Sequence, residues 1–177
     1  MKPSARVQAT IELLERILES RVPMDTTVGD YMRVRRYIGS KDRANIAERV
    51  YGITRSHARL GWWLEKMELA DTPRHRIMAY LILLEEADEK RMADLFDGSE
   101  YAPQHIDEDE HEFIKRLLNK NIIHADMPES VRVECPPDAE KKLREAFGKD
   151  FATEMEAMIE AAPLDLRVNT WSAKREE

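Results

Sequence analysis

The sequence is poor in the residues and runs that define several classes of protein. It has a single cysteine, Cys135, so it cannot form an internal disulfide, which is typical of a reducing compartment. Its six glycines form no glycine-rich loop of the kind that cradles phosphates. No apolar run is long enough to cross a bilayer, and no charged and then apolar leader opens the chain. We therefore expect a cytoplasmic protein that does not interact with membranes.

The charge of the chain is divided unevenly along its length. The 177 residues carry a formal net charge of −7 at pH 7. Residues 1–67 contain 13 Lys and Arg against 8 Asp and Glu, a net charge of +5, whereas residues 68–177 contain 15 against 27, a net charge of −12. The basic front half is therefore the part that we expect to meet a polyanion.

Most of the chain has the periodicity of amphipathic helices. Thr72-Pro73 is a typical helix start, and the residues that follow, 77–84, are apolar all round, which predicts a central helix surrounded by others. Further helices are predicted over 4–20, 27–38, about fifteen residues capped by Ser40, 55–67, 90–96, 107–120 and 138–161, the last broken near Gly148. The predicted fold class is all-α, a helical bundle followed by a linker helix.

The pattern changes near the last residues. Leu164, Leu166 and Val168 alternate with polar residues, which predicts a half-buried strand. A single strand leaves its backbone donors and acceptors without partners. We therefore expect a second domain to begin here and the chain to be the front part of a longer protein.

Two segments together resemble a known family. One runs from Arg35 to Leu64 and begins Arg-Arg-Tyr-Ile-Gly-Ser-Lys-Asp-Arg; the other, 162–170, reads Ala-Pro-Leu-Asp-Leu-Arg-Val-Asn-Thr. Both resemble the N-terminal region of bacterial Sun/Fmu-type ribosomal RNA cytosine-5 methyltransferases. The resemblance implies a helical domain similar to the antiterminator NusB over 1–125, a linker and connecting helix over 126–161, and the first strand of a truncated α+β subdomain over 162–177. It also implies that the parent enzyme uses S-adenosylmethionine to modify C5 of a cytosine in 16S ribosomal RNA.

The chain lacks the residues on which catalysis in that family depends. It has no S-adenosylmethionine-binding glycine-rich loop and no cysteine in a Pro-Cys or Thr-Cys context. Cys135 stands in Glu-Cys-Pro-Pro, the reverse order, and the acids Glu134 and Asp138 disfavour a thiolate there. We assign no catalytic and no cofactor-binding residue to this chain. The cofactor would belong to the missing methyltransferase domain, the expected partner in cis.

Cations of the front half are the main candidates for RNA binding, because phosphate contacts need Lys and Arg projecting from one face. At 100° per residue, Lys41, Arg49 and Arg55 fall in one polar arc of the third helix. Gly52 falls in the same arc. Arg43 lies on the apolar side, so we expect it to be half-buried and paired with a carboxylate or a helix end. The predicted RNA-binding residues are Arg33, Arg35, Arg36, Lys41, Arg49, Arg55, Arg59, Trp62 and Lys66. A solvated charged surface explains the same pattern about equally well.

Trp62 points away from the apolar face of the fourth helix, toward Arg59 and Lys66. An aromatic ring beside two cations can stack an unpaired base. The alternative, that Trp62 packs against a neighbouring helix or the next domain, is the more common role of such a residue.

A metal site is not predicted. His105 and His111 flank four acids, 107–110, but their spacing matches no metal-ligand motif. Acidic residues at a helix start account for most of this pattern, because they complement the helix dipole.

These features favour a non-catalytic region that holds 16S ribosomal RNA against the methyltransferase domain. Two alternatives stay open: a stand-alone NusB-like protein-interaction or antitermination-type adaptor, and a structural domain that packs on the catalytic core. RNA binding should weaken steeply with salt, whereas a hydrophobic interface should not.

Overall fold

The structure, a computed structural model, describes residues 1–159, 167–169 and 171–172. These residues form helices and connecting turns, with no β-strand among them, which confirms the all-α fold for this part of the chain. The helices are α1 (Pro3–Glu19), α2 (Met24–Val34), α3 (Ser40–Arg55), α4 (His57–Lys66), α5 (Pro73–Leu83), α6 (Glu89–Leu95), α7 (Glu108–Leu117), α8 (Glu129–Arg132), α9 (Pro137–Phe147) and α10 (Phe151–Ile159). The strand predicted around Leu164 and Leu166 lies outside the described residues. No helix in the described part is long and apolar enough to cross a membrane.

Helix α5 is the centre of the bundle, as its apolar sequence predicts. Helices α1, α3, α4 and α7 all pack on it. The side chain of Thr72 accepts a hydrogen bond from the backbone N–H of His75 at 3.2 Å, and Pro73 is the first helical residue, which confirms the predicted helix start. Residues 77–83 are buried apart from one half-buried tyrosine, whereas Leu84, just beyond the helix, is exposed.

Helix α1 packs on α3 and α5 through its first three turns. Val7, Ile11 and Leu14 are buried, as the predicted apolar stripe requires. Leu18, predicted on the same stripe, is exposed. No buried residue follows Leu14 in α1, so the last turn of this helix lies at the surface of the bundle.

The junction of α2 and α3 differs from the prediction. Helix α2 begins after Pro23 and ends at Val34, four residues before the predicted end at Ile38. Ser40 is the first residue of α3 rather than its cap, because Gly39 takes the N-cap position without a side-chain hydrogen bond.

Arg43 provides the physical reason for this tight junction. Its guanidinium donates to the carbonyl oxygen of Ile38 at 2.7 Å and to that of Arg35 at 3.4 Å. A side chain of α3 thereby satisfies carbonyls that follow the end of α2. The prediction that Arg43 is half-buried and paired with a helix end is confirmed.

The segment after α7 forms a second, smaller apolar cluster beside the main core. Val133 and Cys135 pack with Phe151 and Met155 of α10. Helices α9 and α10 are joined by a 3-10 turn at Gly148–Asp150, and Gly148 has a φ of 53°, a conformation that glycine adopts readily. The predicted break near Gly148 is confirmed.

Candidate nucleic-acid interface

Arg49 is an internal residue rather than an exposed cation. It is 4% exposed, and its guanidinium donates two hydrogen bonds to the Glu85 carboxylate, at 2.7 and 2.9 Å. The prediction that it lies in an exposed polar arc is wrong, because α5 covers this side of α3. Gly52 permits the close approach of α5 to α3, because Cε2 of Tyr80 lies only 2.7 Å from the position that a Cβ of Gly52 would occupy.

Arg59 is also occupied inside the protein. Its guanidinium donates to Oε1 of Glu134 at 2.8 Å, and both side chains are about 10% exposed. The same carboxylate accepts hydrogen bonds from the backbone N–H groups of Ala58 at 2.7 Å and Arg59 at 3.0 Å. Glu134 therefore caps the N-terminus of α4 with a carboxylate that comes from the linker.

Arg35 is half-buried and held by its neighbours. Its guanidinium carbon lies 3.8 Å from the centroid of the Tyr31 ring, and one of its nitrogens lies 3.4 Å from a Glu12 oxygen. Arg33 is exposed and pairs with Asp30 one turn earlier on α2. Neither residue is a free cation, but Arg33 is accessible and an exposed pair of this kind contributes little stability.

Arg36, Lys41 and Arg55 are exposed, and among the described residues none of the three forms an ion pair. Lys41 and Arg55 stand fourteen residues apart on α3, which separates them by about 21 Å along the helix axis. The accessible cations of the front half are therefore spread over the surface rather than gathered in one patch.

A denser group of cations lies where the ends of α4 and α7 meet, and we call it the cationic cleft. Its charged residues are Lys66 from α4 together with Lys115, Arg116 and Lys120 from the end of α7 and the turn that follows it. They surround a cavity of about 480 Å³ that Trp63 and His124 also line. In the described part of the chain one carboxylate pairs with these cations, that of Asp126, 2.8 Å from the Lys66 ammonium.

Sequence reasoning missed three of these four cations. Lys115, Arg116 and Lys120 lie in the acidic half, and at the end of a helix they are explained by the helix dipole alone. Their sequence spacing does not reveal that Lys66 of α4 stands beside them, because both helices reach this position by packing on α5.

Trp62 lies next to the cationic cleft and is half-buried. Its ring centroid is 5.2 Å from that of His124 and 5.2 Å from that of Trp63, with an edge-to-face angle of 82° to Trp63. The Lys66 ammonium lies 4.8 Å from the Trp62 centroid, and the indole N–H of Trp63 donates to the carbonyl of Ile122 at 2.9 Å. Trp62 thus packs against the segment after α7, with part of its ring accessible.

The acids near His105 and His111 have structural partners. Asp107 and Glu110 form a capping box at the start of α7. Glu110 also accepts hydrogen bonds from the Arg74 guanidinium at 2.6 and 2.8 Å and lies 3.3 Å from His75. Burial opposes the charge on Glu110, but the hydrogen bonds from Arg74, His75 and the Asp107 backbone outweigh it and lower its pKa to about 2. Among the described residues no group of three potential ligands is placed to hold a metal ion.

Cys135 is not placed for nucleophilic chemistry. Its side chain is buried, and burial together with the nearby Glu140 raises the pKa of the thiol. A raised pKa reduces the fraction of thiolate, the reactive form.

Comparison with models of protein families, with curated proteins and with solved structures finds no match for this chain. Its function is therefore argued from the geometry of its own residues.

Proposed function

We propose that this chain is the non-catalytic RNA-docking region of an S-adenosylmethionine-dependent 16S ribosomal RNA cytosine-5 methyltransferase. The observation that carries the proposal is the cationic cleft, where four cations with one paired carboxylate surround a cavity lined by aromatic side chains. The resemblance of residues 35–64 and 162–170 to the Sun/Fmu-type enzymes supplies the class of parent enzyme. The cofactor and the reacting cysteines belong to the methyltransferase domain of that parent.

The cleft is suited to phosphates for an electrostatic reason. The residues from 68 onward carry a net charge of −12, so most of this part of the surface repels a polyanion. A concave group of Lys and Arg within it focuses a local positive potential, which steers RNA to that place. Each phosphate neutralised there releases counterions, which makes the binding salt-dependent.

The exposed arginines and lysine of the front half supply further phosphate contacts; they are Arg33, Arg36, Lys41 and Arg55. Being dispersed, they give separate phosphate contacts along a folded RNA rather than a second pocket. We assign Arg49 and Arg59 no contact with RNA, because their guanidinium groups are buried against Glu85 and Glu134.

The test compares two variants that lose the same number of positive charges. The cleft variant carries Lys115→Gln, Arg116→Gln and Lys120→Gln; the control carries Lys141→Gln, Lys142→Gln and Lys149→Gln, three exposed lysines of the α9 region. Affinity for a labelled RNA hairpin is measured by fluorescence anisotropy over a range of salt concentrations. We expect the cleft variant to bind at least about tenfold more weakly than the control. The slope of log affinity against log salt concentration should decrease in magnitude by about 2.

Equal affinities of the cleft variant and the control would contradict the role of the cleft. A further variant, with Arg33, Arg36 and Arg55 each changed to Glu, tests the front half in the same assay. If neither set of substitutions alters RNA binding, the RNA-docking proposal is wrong.

The adaptor alternative has one observation in its favour. A groove of about 400 Å³ between the α3–α4 junction and α10 is lined largely by apolar groups, among them Val133, Pro136 and the exposed Met158. Apolar surface of this kind is typical of protein contacts. An adaptor would show no salt-dependent RNA affinity in the hairpin assay, which separates the two functions.

A further inference from the structure

A second cavity, of about 700 Å³, is lined by three of the five tyrosines of the chain, and we call it the tyrosine cleft. The three come from separate segments: Tyr31 from α2, Tyr37 from the turn between α2 and α3, and Tyr101 from the loop between α6 and α7. Its volume is in the range of small-molecule sites. Arg36, which is exposed, directly precedes the lining residue Tyr37 in the chain.

Tyr31 forms a rigid part of the cleft. It is buried, its hydroxyl donates to Oε2 of Glu12 at 3.0 Å, and the Arg35 guanidinium lies 3.8 Å from its ring centroid. Burial and the neighbouring Glu12 raise the pKa of Tyr31, so its hydroxyl keeps the proton that it donates. The residue is therefore fixed in place and neutral.

Tyr37 and Tyr101 instead expose their rings. They are 77% and 73% exposed, although a tyrosine ring is large and mostly apolar. Folding gains little from rings in these positions, because little of their area leaves water. Two exposed aromatic rings beside one cavity are suited to a ligand with a flat face.

The backbone holds Tyr101 in an uncommon conformation that presents its ring. Its φ is 67°, in the left-handed region that residues other than glycine seldom adopt. The surrounding loop closes on itself, with the Gly98 N–H donating to the Pro103 carbonyl at 3.0 Å and the Ala102 N–H to the Ser99 carbonyl at 2.9 Å. Conformations of this kind persist where the surrounding structure enforces them and are enriched at ligand sites.

The polar lining of the cleft distinguishes a base from a phosphate. The carboxylates of Glu12 and Glu100 repel a phosphate. The Glu12 oxygens already accept from Gln8, Tyr31 and Arg35, so the Glu100 carboxylate and the Gln8 amide oxygen are the acceptors that remain for a base. Cytosine and adenine carry exocyclic amino groups that donate such bonds, whereas uracil has a carbonyl there. Lys2, which also lines the cleft, is a cation available to the phosphates that flank the base.

We propose that the tyrosine cleft binds an unpaired nucleotide of the RNA, whose base stacks on Tyr37 and Tyr101 and is preferred when it carries an exocyclic amino group. This inference rests on the proposed RNA-docking function and adds the structural class of RNA that is recognised. Stacking on aromatic side chains is the usual way in which proteins hold unpaired bases.

The test uses three labelled RNAs of equal length: oligocytidylate, oligouridylate and a duplex. Each is titrated with the wild-type chain and with double variants in which Tyr37 and Tyr101 are both changed to Ala, to Phe or to Leu. We expect the Ala and Leu variants to lose about tenfold or more in affinity for oligocytidylate, the loss that follows removal of base stacking. The Phe variant should keep wild-type affinity, and binding of the duplex should be unchanged in all three.

Base preference is tested with Glu100→Ala. The wild type should bind oligocytidylate more tightly than oligouridylate, and the substitution should reduce that difference. Because Tyr37, Glu100 and Tyr101 are exposed, these variants should fold, which circular dichroism and thermal unfolding check.

The outcomes separate this inference from the function on which it rests. One outcome is that the Ala variant binds oligocytidylate as the wild type does, while the variant of the cationic cleft loses RNA affinity. The tyrosine cleft is then not a base site, and the docking function stands. If the Phe variant loses as much as the Ala variant, stacking is not the cause and the inference is wrong. If the wild type binds none of the three RNAs, the docking function fails, and this inference fails with it.

Discussion

Glu134 and Arg59 help to attach the linker to the bundle. The Glu134 carboxylate satisfies two backbone N–H groups at the start of α4 and the guanidinium of Arg59 at once. Its replacement leaves three donors without their acceptor, in a place where both side chains are about 10% exposed.

We expect Glu134→Ala to lower the free energy of unfolding by about 2–4 kcal/mol, because it removes a helix cap and leaves a largely buried cation unpaired. Urea denaturation followed by circular dichroism measures the change. Glu145→Ala, at an exposed position of α9, is the matched control and should change stability by less than about 0.5 kcal/mol. Equal effects of the two substitutions would show that the cap contributes nothing.

Arg49 allows stability to be separated from RNA binding. Arg49→Lys keeps the charge but cannot form the two-pronged contact with Glu85, so we expect a loss of about 1–3 kcal/mol in unfolding free energy. The folded variant should bind RNA as the wild type does, since the guanidinium is buried. Arg55→Lys, at an exposed site, is the control for stability. A selective loss of RNA affinity in Arg49→Lys, with stability unchanged, would contradict this assignment.

Arg43 and Arg49 show how far the residue scale is predictable from sequence. The position of Arg43 on the apolar side of α3 follows from helix geometry alone, and its pairing with the end of α2 is a local contact. Arg49 depends on a distant element. Helix geometry places Arg49 at the border of the polar arc of α3, where the packing of α5 decides whether a side chain is exposed or buried. At Gly52 the lack of a side chain lets Tyr80 of α5 approach. The role of a glycine is set by its tertiary neighbour, which the sequence of α3 does not contain.

Close packing between α3 and α5 depends on the absence of a side chain at Gly52. Alanine favours helices over glycine by about 1 kcal/mol, so Gly52→Ala should stabilise α3 if propensity alone decided. Instead its Cβ would fall 2.7 Å from Cε2 of Tyr80, and we expect a net loss of about 1–3 kcal/mol.

Gly29 is the matched control for this prediction. It lies inside α2 with no atom within 4 Å of the position of a Cβ, so Gly29→Ala should raise stability by up to about 1 kcal/mol. Thermal and urea unfolding of both variants check the two signs. A stabilising Gly52→Ala would show that the half-buried Tyr80 ring moves aside at little cost.

Helices α5 and α7 are joined by Glu110 with Arg74 and His75, and this contact makes stability depend on pH. The pKa of Glu110 is lowered from 4.5 to about 2, so its contribution is complete above about 4.5 and is lost as the pH falls toward 2. The hydrogen bond to Glu110 raises the pKa of His75 above 6.5, so the contribution of that residue is complete below 6.5 and is lost as the pH rises through its folded pKa.

We therefore expect the free energy of unfolding of the wild type to decrease as the pH drops below about 4.5. In Glu110→Gln this decrease should be less steep. Urea titrations at a series of pH values measure the free energy of unfolding on the acid limb, below about pH 4.5, and on the limb above pH 6.5 where His75 loses its proton. Asp109→Asn, at an exposed neighbouring position, should leave the acid limb as in the wild type. An unchanged acid limb in Glu110→Gln would assign the pH dependence to other carboxyls.

A helix boundary is predictable from sequence when residues close to it in the chain determine it, and less so when residues from another segment do. The start of α5 at Thr72 and the break at Gly148 are fixed by local chemistry, and both were predictable. The early end of α2 depends on Arg43 reaching back from the next helix. The two clefts are less predictable still, because each gathers residues from separate segments. Packing around α5 brings the segments of the cationic cleft together, and packing on α1 brings together those of the tyrosine cleft.

The whole molecule presents RNA with a surface that repels it outside a few places. Because the protein carries a net charge of −7, most of its surface repels a polyanion, so the RNA contacts should centre on the cationic cleft, the exposed front-half cations and the tyrosine cleft. Lysine acetylation with and without an RNA hairpin, read by mass spectrometry, tests this. We expect protection of Lys66, Lys115 and Lys120, while Lys141 and Lys142 on α9 react equally in both samples. Uniform protection of all five lysines would mean that the RNA samples the surface without a preferred site, and the orienting role that a docking region needs would then be lost.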